Sequence, residues 1–310
     1  MAVDAPLLTR QRVLAAKVET TTGTAESLSA SDAAFNVFNL TFDADIPMNE
    51  REGQSSLSPL PGVTGARMGK VTFETEVVGK GSSGVPSWGI FLQASGFVLS
   101  SVTYNPETGG TSPTTLTMGG YFDGRKKVIA GAVGDWTMTA QVGNPGRFKW
   151  DFQGAWSAPS DVALLAPTYP TVLPPRFAGG TLTIGGTAYK ISQIEIACGN
   201  TIAMRQNPAN ASGYHAGVVT NRKITVKLDP EASLLATKDW YADHLASTEA
   251  ALSCVFNGGA NNTITFTAPK MQLMEPPKDG DRDGILLDSL SFQCNRNTSG
   301  GDDELSVAFT

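Results

Sequence analysis

The strongest constraint on the fold is the alternation of apolar and polar residues in short segments that glycine and proline separate. Residues 71–77 read VTFETEV, so Val71, Phe73 and Val77 share one side of an extended chain and Glu74 lies on the other. Such alternation is typical of antiparallel strands with one face in the core. The pattern predicts strands at 38–43, 71–77, 136–142, 147–152, 181–184, 224–228, 263–267 and 287–292. The protein is therefore expected to be mainly β, with helices only at 9–18, 87–95 and 237–251.

The chain reads as two similar halves. A proline-rich segment at 158–180 cannot belong to a central strand, because proline lacks the N–H that a β-ladder needs. On either side of it the order strand, strand, helix, hairpin, strand recurs; Val71 and Ile224 are separated by 153 positions, and Leu40 and Ile194 by 154. The expected division is an N-terminal arm at 1–32, a first domain at 33–157, a connector at 158–178 and a second domain at 179–310.

Composition excludes several classes of protein. A net charge of −6 argues against a nucleic-acid-binding surface, which needs clustered Lys and Arg. Three widely spaced cysteines indicate neither a disulfide framework nor a zinc site, which favours folding in a reducing cytosol. We expect no signal peptide and no membrane span.

Two glycine-containing motifs suggest ligands that their contexts do not support. Residues 79–84, GKGSSG, match G-x-G-x-x-G, but the preceding strand has a polar face, whereas a Rossmann strand is apolar on both faces. Residues 279–284, DGDRDG, resemble the start of a calcium loop, but Leu290 stands where the closing acid is required. We expect a flexible connection at the first motif and a solvated hairpin tip at the second, with calcium a minority alternative.

Catalytic and cofactor sites are not indicated. His215 and His244 are the only histidines, and neither lies in a recognisable nucleophile or metal motif. We expect no enzyme activity, no cofactor and no metal site.

Several segments resemble the major tail tube proteins of long-tailed bacteriophages, in the version with a duplicated tube domain. The similar segments are 14–20 with Gly23-Thr24, 73–77, 88–97, 268–270, 280–284 and 302–307. The resemblance implies two tandem antiparallel β-sandwich or barrel domains, each with a short flanking helix. It also implies a virion protein whose strands join those of its neighbours into a barrel, in rings that stack into a tube for DNA passage.

The resemblance implies partners and a location. Three chains per ring are favoured over six, because two tube domains per chain give pseudo-sixfold symmetry. The rings would stack on one another and meet tail terminator, tape measure and distal tail proteins, with DNA in transit through the lumen. Assembly would take place in the host cytoplasm, and the mature site would be the virion tail.

Two sets of residues are candidates for these contacts. Glu74, Glu76 and Lys227 are the lumen candidates, since an acidic lumen would repel DNA phosphates. Glu74 and Lys227 are also equivalent in the repeat, and would attract each other wherever strands of two copies lie side by side.

The inter-ring candidates lie in the segment 48–68, which, like the arm 1–32, is expected to be loose in the free protein and to become ordered on stacking. They are Met48, Arg51, Leu57, Leu60 and Met68.

A carbohydrate-binding or adhesin-like β-sandwich is the alternative. In that hypothesis Trp136, Trp150 and Trp156 would form an exposed face that stacks on sugars, although packing under the sheet or at a subunit contact is the favoured interpretation of these side chains. An enzyme is the third choice.

Overall fold

The computed structural model describes residues 6–108 and 114–310, which fold mainly as antiparallel strands. The strands of the first half are β1 Arg12–Val18, β2 Phe38–Asp45, β3 Met48–Arg51, β4 Leu60–Thr64, β5 Met68–Glu76, β6 Phe97–Ser100, β7 Thr103–Pro106, β8 Leu116–Phe122, β9 Arg125–Gln141 and β10 Arg147–Asp161. The helices there are a 3-10 turn at Ala30–Ala33, another at Ser87–Gly89, and α1 Ile90–Gln93.

The second half has the same character. Its strands are β11 Leu182–Ile184, β12 Thr187–Ala188, β13 Gln193–Ala197, β14 Asn200–Gln206, β15 Tyr214–Arg222, β16 Thr225–Leu228, β17 Glu249–Asn257, β18 Thr263–Leu273, β19 Lys278–Arg282, β20 Ile285–Cys294 and β21 Ser306–Phe309. Its one α-helix in the described residues is α2 Trp240–Leu245. The prediction of a mainly β, sandwich-class fold is confirmed.

Eight strands form a continuous antiparallel layer, here called the central sheet. Their spatial order is β2, β5, β10, β9, β13, β16, β20, β19. The first four belong to the first half and the last four to the second, and the two sets meet where β9 pairs with β13. The order of strands within each set is the same, which supports the sequence repeat.

The register of the repeat differs from the sequence alignment at one strand. Thr72 and Thr225 are 153 positions apart, and their partners across the ladder are Thr41 and Ala197, which are 156 apart. The sequence match of Leu40 with Ile194 is therefore wrong by two residues. Because this difference is even, Leu40 and its counterpart still lie on the same apolar face. β2 also carries a bulge of one residue between Phe38 and Thr41, where Asn39 has a φ of 51°.

One apolar core underlies both halves of the central sheet. Aromatic side chains on β5 and β10 stack within it, with Phe73 6.3 Å from Trp150 between ring centroids. The core continues without a break to Ile194 and Val226 in the second half and to Phe309 at the C-terminal strand. β21 also pairs with β7 of the first half. The predicted domain boundaries remain predictions, since the two halves share this core.

The predicted helix at 9–18 is wrong, because this segment contains β1, which pairs with β8 along its whole length. Val13, Leu14, Ala15 and Ala16 are all buried, so both faces of the strand are covered and the alternation that marks a half-buried strand is missing. The expectation that the arm 1–32 is loose in the free protein is therefore wrong for this strand.

The predicted helix at 87–95 is confirmed as the turn at Ser87–Gly89 followed by α1. The predicted helix at 237–251 is correct only for its centre, where Asp239 caps α2 by accepting a hydrogen bond from the Ala242 N–H. Leu245 is exposed, and β17 begins at Glu249. Trp240 is the one buried residue of α2.

Candidate functional site

The central sheet has one polar face, and all three lumen candidates lie on it. Residues directly opposite in adjacent strands point to the same face. Such pairs form an unbroken row across the sheet: Glu76, Arg147, Thr139, Glu195, Lys227 and Ser291. Glu74 is two residues from Glu76 on β5 and shares the face. The sequence thus placed these three residues on a common surface, although they come from different halves.

Charges on this polar face are paired within each half. Arg147 lies 3.2 Å from Glu74, and Lys227 lies 2.8 Å from Glu195. Glu74 and Lys227 do not contact each other within the chain, because β5 and β16 are not neighbours. Arg147 and Glu195 were missed by sequence reasoning, although the alternation in RFKWDF at 147–152 exposes Arg147 and Lys149 on one face.

The polar face is concave where the two halves join. A depression of about 820 Å³ lies over β9, β13, β16 and β20. Thr139, Arg147, Glu195 and Lys227 line it, and the segment that precedes β19 forms its rim.

The central sheet ends in two strand edges that form no β-ladder with any described residue. β2 forms its only ladder with β5, and β19 forms its only ladder with β20. At the outer edge of β2, the Arg12 guanidinium donates to the Leu40 carbonyl at 2.9 Å and the Lys127 ammonium to the Phe42 carbonyl at 2.8 Å. Cations at an edge are a known protection against uncontrolled strand pairing.

The inter-ring candidates lie on an exposed hairpin made of β3 and β4. Met48 on β3 and Leu60 on β4 are exposed, Arg51 is exposed opposite Leu60, and the tip residue Leu57 is fully exposed. Met68, the first residue of β5, is half-buried and does not belong to the hairpin. Large apolar side chains in solvent on a projecting hairpin are typical of a contact surface.

The GKGSSG loop is bound to protein rather than shaped as a phosphate cradle. The Gly79 N–H donates to the Asn262 side chain at 2.8 Å, and the Gly81 N–H donates to the Asn261 carbonyl at 3.0 Å. A Cβ at Gly79 would lie 2.6 Å from the Asn261 carbonyl oxygen, so glycine is needed here for close approach to the second half.

The DGDRDG motif forms the hairpin between β19 and β20. Asp283 and Gly284 both have positive φ, as a tight two-residue turn requires. Within the described residues no group of three or more His, Cys, Asp or Glu side chains is arranged to hold a metal ion.

The histidines and tryptophans singled out in the sequence do not lie together on the polar face. His244 Nδ1 is 3.1 Å from the Leu273 carbonyl, and His215 lies against Gly23 in the other half. Trp136, Trp150 and Trp156 are buried, so the exposed sugar-stacking face of the alternative hypothesis is wrong. No helix in the described residues is long and apolar enough to cross a membrane.

Comparison with known proteins identifies the family of this chain. A sequence model of the family described as "Phage tail tube protein" matches residues 9–306, which is nearly the whole chain. A comparison with curated proteins gives no match. The chain therefore belongs to the phage tail tube protein family and is a structural, non-enzymatic component of the virion tail.

Proposed function

We propose that three copies of this chain form a closed ring, that rings stack into the tail tube, and that the polar face of the central sheet lines the channel through which DNA passes. The observation that carries the proposal is a sheet that contains one four-strand unit twice and ends in two unpaired edges. Edges of this kind are satisfied when copies join head to tail and the circle closes. Three chains then supply six units.

The charges of the polar face suit a conduit for DNA. In the row described above and in the neighbouring row, where Lys149 lies opposite Glu74, carboxylates stand beside cations. The carboxylates are Glu74, Glu76 and Glu195, and the cations are Arg147, Lys149 and Lys227. Arg147 and Lys227 each lie within 3.2 Å of a carboxylate, and Lys149 is opposite Glu74 in the ladder, so no continuous basic track is offered to phosphates. We therefore expect the lumen to avoid binding DNA because its cations are paired with carboxylates, and not because its surface is uniformly acidic.

The β3–β4 hairpin is the proposed contact between stacked rings. Its tip carries Leu57, and burying such a side chain stabilises a contact by about 1.5–3 kcal/mol. Ring stacking would order the tip, while the strands Met48–Arg51 and Leu60–Thr64 are already paired. Tail terminator, tape measure and distal tail proteins are the proposed partners at the ends and inside the tube.

Electron microscopy of the purified chain tests this function. The expected result is rings or tubes with three chains per ring and a central channel. A variant in which residues 53–58 are replaced by a short glycine linker is expected to give rings that do not stack, while Leu245→Ala, an exposed apolar control on α2, should still give tubes. Globular monomers for the unaltered chain over a range of concentration and ionic strength would contradict the proposal.

A further inference from the structure

Large apolar side chains are exposed at two places outside the β3–β4 hairpin. The first place is the segment before β1, where Leu7 is 55% and Leu8 54% exposed. The second place, here called the loop patch, has four exposed side chains from the loop after β16 and the start of β20: Leu234, Leu235, Ile285 and Leu286. The Ala232 N–H donates to the Leu286 carbonyl at 2.9 Å, which holds the loop beside the strand. Apolar side chains grouped in solvent typically mark a contact surface.

The corresponding loops of the first half are covered by the chain itself. The segment that leads into β11 crosses the turn between β9 and β10. There the Phe177 N–H donates to the Asn144 carbonyl at 2.8 Å, and the Gly143 N–H donates to the Phe177 carbonyl at 3.1 Å. Val172 of the same segment lies against Gly81, in the loop after β5, where it occupies the space that a Cβ would need. Phe177 is buried by this contact between the two halves.

Two ladder pairs in corresponding positions show that the loop patch is the equivalent surface of the second half. Thr75 on β5 lies opposite Phe148 on β10, as Leu228 on β16 lies opposite Leu290 on β20. The offset between the halves is therefore 153 positions from β5 to β16 and 142 positions from β10 to β20. Applied to the adjoining loops, these offsets give three equivalences: Gly81 with Leu234, Gly143 with Ile285, and Asn144 with Leu286.

The segment before β1 is the equivalent of the segment that leads into β11. β1 pairs with β8 as β11 pairs with β17. Just before each ladder one further backbone hydrogen bond is accepted, by the Gln11 carbonyl at 3.1 Å and by the Thr181 carbonyl at 2.9 Å. Counting back four residues from each of these carbonyls makes Leu7 the counterpart of Phe177. Phe177 is buried on the preceding half of its own chain, whereas Leu7 has no preceding half to cover.

We propose that residues 7–9 of one copy dock on the loop patch of the preceding copy in the ring, with Leu7 against Ile285 and Leu286. This inference rests on the proposed ring and adds a contact that lies outside the central sheet. Its direction follows from the order within one chain, where the segment entering the second half covers the first. The segment entering the first half of the next copy then covers the second half of the copy before it.

The side chains at the two contacts differ in a complementary way. Within the chain a large ring, Phe177, lies on the small or polar residues Gly143 and Asn144. At the proposed contact a smaller leucine would lie on the two larger aliphatic side chains of the loop patch. The Leu286 carbonyl already accepts the Ala232 N–H, so the proposed contact uses side chains where the in-chain contact uses the backbone.

The docking segment is held in place before any contact forms. The Leu8 N–H donates to the Asp123 carboxylate at 2.6 Å, which fixes the segment against the β8–β9 turn. A segment that is already ordered loses less conformational freedom on binding. Exposed charges beside the two surfaces are opposite, since Arg10 follows Leu7 and Asp283 precedes the loop patch. Opposite charges favour this pair of surfaces over contact between two like surfaces.

Thiol crosslinking tests the contact, because the three native cysteines are buried and an introduced pair reacts alone. In Leu7→Cys/Leu286→Cys, treatment of the assembled protein with a short bifunctional maleimide is expected to give covalent dimers and trimers, and nothing larger, since three contacts close the ring. The matched control is Leu7→Cys/Leu173→Cys. Leu173 is also exposed, but it lies on the segment that covers the first half, so this pair should give no multimers. Each single cysteine variant should give none either.

Ring formation gives a second measurement. Leu7→Asp would place a charge against the loop patch, so the protein concentration needed for rings should rise about tenfold or more. Thermal unfolding of the free chain should not change, since Leu7 is exposed there. Leu173→Asp makes the same substitution at another exposed leucine and should leave ring formation as it is.

The outcomes separate this contact from the proposed function. Rings that form normally in Leu7→Asp, with no multimers from the crosslinked pair, would overturn the docking and leave the ring intact. Covalent products larger than a trimer would place the contact between stacked rings and would overturn it as well. If the unaltered chain forms no rings at all, the proposed function fails and this docking fails with it.

Discussion

Asp135 on β9 and Asp151 on β10 lie directly opposite each other in the central sheet. Burial raises the pKa of Asp135, and the charge of Asp151 raises it further, whereas hydrogen bonds from backbone N–H groups lower it. One of these bonds, from the Asn200 N–H at 3.0 Å, ties the start of the β14–β15 hairpin to the first half. Two carboxylates therefore face each other where the two halves of the chain are in contact.

The first prediction is that Asp151→Asn stabilises the protein near neutral pH by up to about 1 kcal/mol, the range for like charges across a ladder. The folded-state pKa of Asp135 is above its unfolded value. Above the folded-state pKa the charged carboxylate therefore lowers the free energy of unfolding, and this loss disappears once the pH is below the unfolded value. The gain should consequently vanish in acid. Urea unfolding across that pH range measures it.

The control for this prediction is Asp283→Asn in the β19–β20 turn, which changes the net charge equally and suits a residue with positive φ. It should leave stability nearly unchanged at every pH. A gain from Asp151→Asn that persists undiminished in acid would contradict the electrostatic cause.

The second prediction compares two buried tryptophans. The Trp150 indole N–H donates to the Thr75 hydroxyl at 2.8 Å, whereas the Trp136 indole N–H has no partner among the described residues. Replacing either by Phe removes similar volume, but only at Trp150 is a hydrogen bond lost and a buried hydroxyl left alone. Trp150→Phe should cost about 1–2 kcal/mol more than Trp136→Phe. Denaturant midpoints measure the difference.

A further variant isolates the hydrogen bond. Adding Thr75→Val to Trp150→Phe removes the stranded hydroxyl and should recover part of the loss. Equal costs for the two Trp→Phe variants would show that volume alone decides.

The third prediction concerns Glu19, which follows β1 and is almost fully buried. Its carboxylate accepts hydrogen bonds from the hydroxyls of Thr115 at 2.6 Å and Thr117 at 2.9 Å, and from the N–H groups of Gly23 and Gly131, each at 2.7 Å. All four partners donate, and an ionised carboxylate matches them because both of its oxygens are acceptors.

In Glu19→Gln, either orientation of the amide turns its NH₂ group toward a backbone N–H that cannot reverse. We expect a loss of about 2–4 kcal/mol in the free energy of unfolding. Glu52→Gln on the exposed β3–β4 hairpin is the matched control, and thermal unfolding should show no change for it. If Glu19→Gln also left the unfolding temperature unchanged, this hydrogen-bond network would not be what holds β1 in place.

Sequence pattern predicted the half-buried strands well, because their two faces differ. β5 was predicted on its alternation, and its polar residues Glu74 and Glu76 proved to share a surface with Lys227 of the other half. β1 was missed for the opposite reason, since both its faces are covered. Alanine at 15 and 16 then favoured a helix over a strand.

Long-range pairing could not be predicted in the same way. The repeat indicated that β2 and β13 are equivalent, but the ladder partners of Thr72 and Thr225 place the match of Leu40 with Ile194 two residues out of register, and no local signal reveals this shift. The β9–β13 junction depends on contacts between residues more than fifty positions apart in the chain. The sequence also left Arg147 and Glu195 unnoticed, because each becomes significant only through its neighbour across the ladder.

The fourth prediction concerns Arg222 at the end of β15. Its guanidinium is almost fully buried and lies 3.2 Å from Asp302 and 2.7 Å from Glu304, and it also donates to the Gly96 carbonyl of the first half at 3.3 Å. Arg222→Met leaves these carboxylates without their cation, and Glu304 is mostly buried. The expected loss is about 3–5 kcal/mol.

Two comparisons define the cause. Lys227→Met removes an exposed cation from Glu195 and should cost about 1 kcal/mol or less. Adding Glu304→Gln to Arg222→Met removes a stranded charge and should recover part of the loss, as urea unfolding can show. No recovery would mean that packing of the arginine stem, rather than its charge, is what matters.

The fifth prediction is that none of the three thiols reacts in the folded protein. Burial raises the pKa of Cys198 well above its usual value and that of Cys254 and Cys294 to about 12 each, so almost no thiolate is present at mildly alkaline pH. Since the thiolate is the reactive form, a disulfide reagent should label no site in the folded chain and all three in denaturant. Ser56→Cys at the exposed tip of the β3–β4 hairpin should react at once and shows that the reagent is active. Rapid labelling of a native thiol would mean that the shared core opens locally, and identifying the labelled cysteine would show in which part of it.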